Sequence, residues 1–174
     1  MSQEMTHVVC SINGQRHEAD VSATTRLIDY LHEELGLTGT KFCCGIGVCR
    51  VCTVAARNRP GAPEVPILSC SVPMVALNGY EITTVEGLGT EGRLSPLQQS
   101  FLDHFAFQCG YCTPGFLMAA TLLLERLKNN PIHESQLDGE IESALGAHAC
   151  RCTGYVRYYQ ATKHVICNTP GTLK

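Results

Sequence analysis

Several things are missing from this chain of 174 residues, and each absence removes a class of function. There is no basic block. The net charge is −3, with 13 Lys+Arg against 16 Asp+Glu, so neither a nucleic-acid backbone nor an anionic membrane surface finds a partner here. No apolar run is long enough to span a bilayer, which argues against direct membrane insertion. Residues Met1 to Gln15 lack a positive region followed by an apolar core, so no secretory leader is read. A cytoplasmic location is therefore expected, with co-export to the periplasm on a partner's signal as the alternative. Low-complexity tracts are absent too. At 44% hydrophobic and 17% charged, the composition is that of a packed protein, and the length suits one ordinary domain or two small ones.

An even cysteine count is also missing. The chain has eleven cysteines, whereas a disulfide framework prefers an even number and a secreted context. Clustered cysteines in a reducing compartment are more often metal ligands or catalytic thiols. Eight fall into two groups: Cys44, Cys49 and Cys52 with a distant Cys70, and Cys109 and Cys112 with Cys150 and Cys152. Cys10, Cys43 and Cys167 are left over and read as small buried hydrophobes.

The first group has the spacing C-x4-C-x2-C with a remote fourth member, the plant-type [2Fe–2S] pattern. Tetrahedral iron in a sulfide cluster asks for four soft thiolates. A loop wrapped around such a cluster needs backbone freedom, which Gly45 and Gly47 supply, and it aims N–H groups at the sulfurs, tuning the reduction potential. Counting from Cys43 would give C-x5-C-x2-C, so Cys43 is a neighbour rather than a ligand. Structural zinc also accepts four cysteines but usually takes them as two short-spaced pairs, so a zinc-stabilised interaction module is the rival reading. The second group joins C-x2-C to C-x-C. Alone, Cys109-Gly110-Tyr111-Cys112 could be the dithiol of a thiol oxidoreductase, but that needs a βαβ context and the flanks here are helical. Arg151 would put a cation between two ligands and stabilise a reduced, more negative cluster.

The flanking patterns place these loops. His7 to Ile12 and His17 to Val21 read as strands joined at Asn13-Gly14, and Arg26 to Leu35 as a helix stopped by Gly36. Thr38 to Cys52 is irregular. Strands follow at Thr53 to Ala56, Val65 to Ser69 and Tyr80 to Val85, with a Pro-rich surface loop over Arg57 to Pro66. Gly87, Gly89 and Gly92 mark a linker. Beyond it, Ser95-Pro96-Leu97-Gln98 opens a helix expected to reach Phe107, and Thr113-Pro114 opens a buried one ending before Asn130-Pro131. Two more are expected over Ser135 to Ala147 and Gly154 to Ile166. The fold class is α+β, divided into residues 1–88, 93–167 and a C-terminal tail 168–174. His148 reads as a helix C-terminal histidine bonding carbonyls, with cluster tuning as the other reading. Tyr155, Tyr158 and Tyr159 read as packing residues.

On Cys44-Gly45-Ile46-Gly47-Val48-Cys49 with Cys52, and Gln108-Cys109-Gly110-Tyr111-Cys112-Thr113-Pro114-Gly115 with Cys150-Arg151-Cys152-Thr153-Gly154-Tyr155, the chain resembles the small iron–sulfur subunit of the molybdenum hydroxylases. This is the family of xanthine oxidase, aldehyde oxidoreductase and carbon monoxide dehydrogenase. The resemblance covers about His7 to Ile166. It implies a β-grasp ferredoxin-like domain followed by a four-helix domain, each holding one [2Fe–2S] cluster. It further implies a large molybdopterin-binding partner subunit, approached by Gln108 and Cys152. Electrons would pass from molybdenum through both clusters to a flavin or cytochrome subunit, in the hydroxylation of an aldehyde or N-heterocycle. A chain of this length has no room for the molybdenum domain, so it is not expected to be catalytic alone. Gly45, Gly47, Arg50, Gly110 and Arg151 would form the cluster surroundings. The chain departs from the family's usual pattern at Cys43 and Arg50, where glycine is usual, and at Ala147-His148, where Gly-Asn is common. If position 50 is left-handed, arginine costs about 1–2 kcal/mol there; otherwise the turn differs, or Arg50 donates to a partner surface.

Overall fold

The computed structural model describes residues 5–90 and 92–174. The first four residues of the expected 1–88 unit lie outside them. The chain starts with two strands, β1 (Met5–Ile12) and β2 (Gln15–Ser22), paired antiparallel. Their two-residue turn has φ of 51° at Asn13 and 80° at Gly14, the left-handed pair that a tight hairpin requires. Three more strands, β3 (Thr53–Arg57), β4 (Val65–Leu68) and β5 (Glu81–Thr83), complete a sheet ordered β2-β1-β5-β3-β4. Within this sheet, among the described residues, β1–β5 is the parallel pairing.

Val8, Cys10 and Ile12 alternate along β1 to one face of this sheet. They pack with Val54, Ala56 and Ile82 beneath a helix carrying Leu27, Tyr30 and Leu31. That helix was expected to be α-helical over Arg26 to Leu35. It is α only over α1 (Leu27–Asp29) and then widens into a π turn, Tyr30–Glu34, closed by Leu35 N–H to the Tyr30 carbonyl at 3.3 Å. The wide turn keeps Tyr30 and Leu31 in the sheet core while the His32 ring reaches the Thr40 carbonyl at 2.6 Å.

Four helices form the second layer: α2 (Pro96–Asp103), α3 (Thr113–Asn129), α4 (Leu137–Leu145) and α5 (Val156–Cys167). Ser95 and Gln98 cap α2 reciprocally, as the sequence predicts. Its end comes earlier than expected, at Asp103 rather than Phe107. Phe105 turns left-handed (φ 48°), and the N–H groups of Phe105 and Ala106 bond back to the carbonyls of Leu102 and Phe101 at 2.9 Å each. This stop motif ordinarily carries glycine, so phenylalanine hid it from the sequence. The last residues are docked: Lys174 N–H meets the Ile132 carbonyl at 3.0 Å, Ile132 N–H meets that of Thr172 at 3.2 Å, and Leu173 packs on the helical core. Among the described residues no helix is long and apolar enough to cross a membrane.

The two layers interlock. Val51, just before β3, is buried in the helical core with Phe116 and Leu117. Gly115, in the first turn of α3, lies against the main chain of the cysteine loop. A Cβ there would stand 2.7 Å from the Arg50 carbonyl oxygen and 2.9 Å from that of Val51.

Because both obstacles are backbone, neither can rotate away. Gly115→Ala is expected to lower stability by about 1–3 kcal/mol, read as a lower thermal midpoint. Gly139→Ala, on α4 with nothing within 4 Å of the added methyl, should raise stability by roughly 0.5–1 kcal/mol. Equal responses from the two variants would sink the interlock argument.

Candidate metal centres

The two cysteine groups sit where the layers meet. The first loop takes its shape from left-handed residues: Gly45 at φ 71°, Gly47 at 75° and Arg50 at 57°. Side chains at the glycines would crowd the Phe42 ring (3.2 Å) and Leu68 (3.1 Å), so position and conformation both call for glycine. Arg50 accepts the left-handed conformation without that relief. Its carbonyl is held by the Thr53 hydroxyl at 2.7 Å and the Thr53 N–H at 3.1 Å. Arg26 braces the loop from outside, paired with Asp29 at 2.6 Å and lying 4.8 Å over the Phe42 ring.

Within each group the thiols meet two by two. Cys44 pairs with Cys49, and Cys52 with Cys70. In the helical layer Cys109 pairs with Cys152, their sulfurs 3.7 Å apart, and Cys112 pairs with Cys150. Among the described residues, no three or more Cys, His, Asp or Glu side chains converge on a point that would hold one metal ion. Paired thiols suit a binuclear centre, in which each iron takes two thiolates and shares the bridging sulfides. The donor set fits two [2Fe–2S] clusters.

Each group has a buried and a more open pair. Cys52 and Cys70 are buried beside Ile28, and burial pushes the Cys52 thiol up to about 12. Cys44 is held down to about 6 by N–H donation from Cys49, at 3.5 Å from its sulfur, and from Ile46. This is the inward-aimed backbone the glycine-rich loop predicts. Burial likewise raises Cys112 to about 12. At Cys150 burial acts upward, but the Thr153 hydroxyl, 3.0 Å from the sulfur, and the Thr153 N–H outweigh it and leave the thiol below its ordinary value. Cys109 and Cys152 are exposed, as are Gln108 and Arg151. Gly110 has a φ of 80°, turning the loop between Cys109 and Cys112.

Other residues depart from expectation. Cys10 is buried, but Cys43 and Cys167 are exposed. Cys43 lines a cleft of about 450 Å³ shared with all four helical-layer cysteines and Arg151, and Cys167 ends α5 at the surface. His148 bonds no carbonyl through its ring. It is buried in the interface, with Nε2 3.2 Å from the Thr53 hydroxyl. That hydroxyl spends its hydrogen on the Arg50 carbonyl, so His148 Nε2 donates. Burial, with the Arg50 charge nearby, holds the His148 ring down to about 4, hence neutral. The tyrosines do more than pack. Tyr155 accepts from Cys150 N–H at 3.1 Å, and the Tyr158 hydroxyl lies 3.4 Å from the Cys112 sulfur. Tyr155 sits at the left-handed N-cap of α5 (φ 71°) and Tyr158 in its first turn, and their nearness to Cys152 along the chain was the signal available in the sequence.

Two contacts join the loops. Ala149 N–H donates to the Cys49 carbonyl at 2.9 Å, linking residues adjacent to or within both cysteine groups, and the Tyr111 hydroxyl donates to the Phe42 carbonyl.

Comparison with known proteins agrees with this geometry. Residues 10–75 match the family described as 2Fe-2S iron-sulfur cluster binding domain, and residues 84–163 match [2Fe-2S] binding domain. The chain is 38% identical to caffeine dehydrogenase subunit gamma of Pseudomonas sp. (strain CBB1), covering 92% of this chain and 91% of that one. It is 40% identical to human aldehyde oxidase over 92% of its own length but spans only 12% of that protein. Among solved structures, quinoline 2-oxidoreductase from Pseudomonas putida 86 superposes with a TM-score of 0.79 at 34% identity, covering 98% of this chain and 94% of its own.

The left-handed Arg50 yields a direct test. Arg50→Gly keeps the carbonyl that Thr53 uses and removes the Cβ strain, so it should stabilise by about 1 kcal/mol, raising the thermal midpoint by roughly 2–4 °C. Arg50→Ala keeps the strain and should give no gain. A fall with glycine would show that the Arg50 side chain contributes more than its backbone costs.

Proposed function

The chain belongs to the small [2Fe–2S] iron–sulfur subunits and domains of the molybdenum hydroxylases, and from that premise we propose the role of each part in electron transfer. Cys44, Cys49, Cys52 and Cys70 hold one cluster within residues 1–88. Cys109, Cys112, Cys150 and Cys152 hold the other within 93–167, and residues 168–174 close the helical layer. When bound, the clusters supply one-electron carriers between a molybdopterin centre on a large partner subunit and an outward acceptor, a flavin or cytochrome subunit.

The observation that carries this reading is the hydrogen bond from Ala149 to Cys49. It connects the backbone beside one ligand set to the other through a single short contact, in an interface where Val51 and His148 are buried. The exposed edge bearing Gln108, Cys109, Arg151 and Cys152 suits the side facing the pterin. At the other end, Ile46 (73% exposed) and Val48 (68%) leave the first loop with an uncovered apolar rim, which suits docking of the acceptor. An N-heterocycle or an aldehyde is the substrate class of the assembly. Two relatives of matching length are named for caffeine and quinoline, both N-heterocycles, which favours the first.

The holoprotein should contain iron and acid-labile sulfide for two clusters, and on reduction two distinct [2Fe–2S] EPR signals. Cys70→Ala should remove one signal and Cys112→Ala the other. Cys43→Ser and Cys167→Ser should leave both. Zinc in place of iron, or a single signal in the unaltered protein, would refute the assignment.

A further inference from the structure

Tyr158 is wholly buried and tightly clamped. Its ring stacks on Phe116 at 4.1 Å with a 5° interplanar angle and leans on Phe101 at 5.3 Å. The ring's one polar atom therefore has a set position, 3.4 Å from the Cys112 sulfur and 2.8 Å from the Thr113 hydroxyl.

The directions of these two contacts follow from counting hydrogens. Resting on the reading that Cys112 holds iron, its sulfur is a thiolate with lone pairs and no hydrogen, so it can only accept. Tyr158 and Thr113 have one hydroxyl hydrogen each. Among the described residues the Thr113 hydroxyl has no other hydrogen-bond partner than Tyr158. Both hydrogens are used in only one arrangement: Thr113 donates to the Tyr158 oxygen, and Tyr158 donates to the Cys112 sulfur. The reverse arrangement leaves the sulfur without this donor and gives the hydrogen of the half-buried Thr113 hydroxyl only solvent as an acceptor.

We propose that Tyr158 is a positioning residue for electron transfer, whose hydroxyl donates to the Cys112 thiolate and makes the helical-layer cluster easier to reduce. Reduction adds one electron and one negative charge to the cluster. A donor at a ligand sulfur stabilises the more negative state more than the oxidised one, and the effect is strengthened in a dry, low-dielectric site. The Phe116 stack gives the hydroxyl its place, so the donor needs no reorganisation when the electron arrives. The cluster on the edge proposed to face the molybdenum partner would thus be the better acceptor.

The test is a redox titration of the holoprotein followed by EPR, with each cluster's signal read separately. Tyr158→Phe keeps the ring and its stacking and removes only the hydroxyl. The helical-layer cluster should shift to more negative potential, its reduced-to-oxidised ratio at a fixed poise falling about three- to tenfold, the worth of one ordinary hydrogen bond. The other cluster should not move. Thr113→Val, which removes the group that polarises the Tyr158 hydroxyl, should shift the same cluster in the same direction by less. A shift the opposite way would mean that Tyr158 had been donating to Thr113, and it would overturn the proposal. So would an unchanged potential in a fully loaded Tyr158→Phe protein, or an equal shift of both clusters. If Tyr158→Phe does not load, the sign of the Thr113→Val shift decides alone. Failure of the underlying ligand assignment looks different: the unaltered protein would lack the second signal altogether.

Discussion

The structure depends on the close approach of two main chains, the cysteine loop at residues 49–51 and the segments of the helical layer that bear cysteines. Ala149 N–H meets the Cys49 carbonyl, Gly115 lies against the carbonyls of Arg50 and Val51, and Val51 is buried among helical side chains. Backbone hydrogen bonds in a packed interface hold the two cysteine-bearing segments at a fixed separation with no rotamer to lose. The residues around it conform to this demand. Position 115 is glycine because the neighbouring obstacles are carbonyls. His148 is neutral because it is buried beside Thr53 and the Arg50 charge, where an imidazolium would be costly.

Each cysteine group shows the same polarity. One pair is sunk in apolar surroundings and the other is more open. In the sheet layer the backbone does the tuning, through N–H groups aimed at Cys44. In the helical layer hydroxyls join the backbone: the Thr153 hydroxyl and N–H act on Cys150, and the Tyr158 hydroxyl lies beside the Cys112 sulfur.

Much of this was legible in the residues. The sheet strands, the Ser95 cap, the long buried α3 and the eight grouped cysteines all come from periodicity and spacing. The misses have physical causes. The π turn after Asp29 keeps the same apolar face as an α-helix, so periodicity cannot tell them apart. The early stop of α2 uses Phe105 in a conformation the sequence reserves for glycine. Cys43 and Cys167 resemble core residues by type, and only their neighbours show them exposed.

The sequence by itself determined the chemistry: which thiols are grouped, that their number and spacing suit iron rather than a disulfide, and which family holds them. These are properties of residue type and short-range spacing, which survive in one dimension. Tertiary structure alone decided which thiol meets which, that Cys109 faces Cys152 and Cys112 faces Cys150 across some forty residues, and that a tyrosine on the last helix ends beside a sulfur. Such pairings depend on how separate elements pack, and distance along the chain carries no record of it.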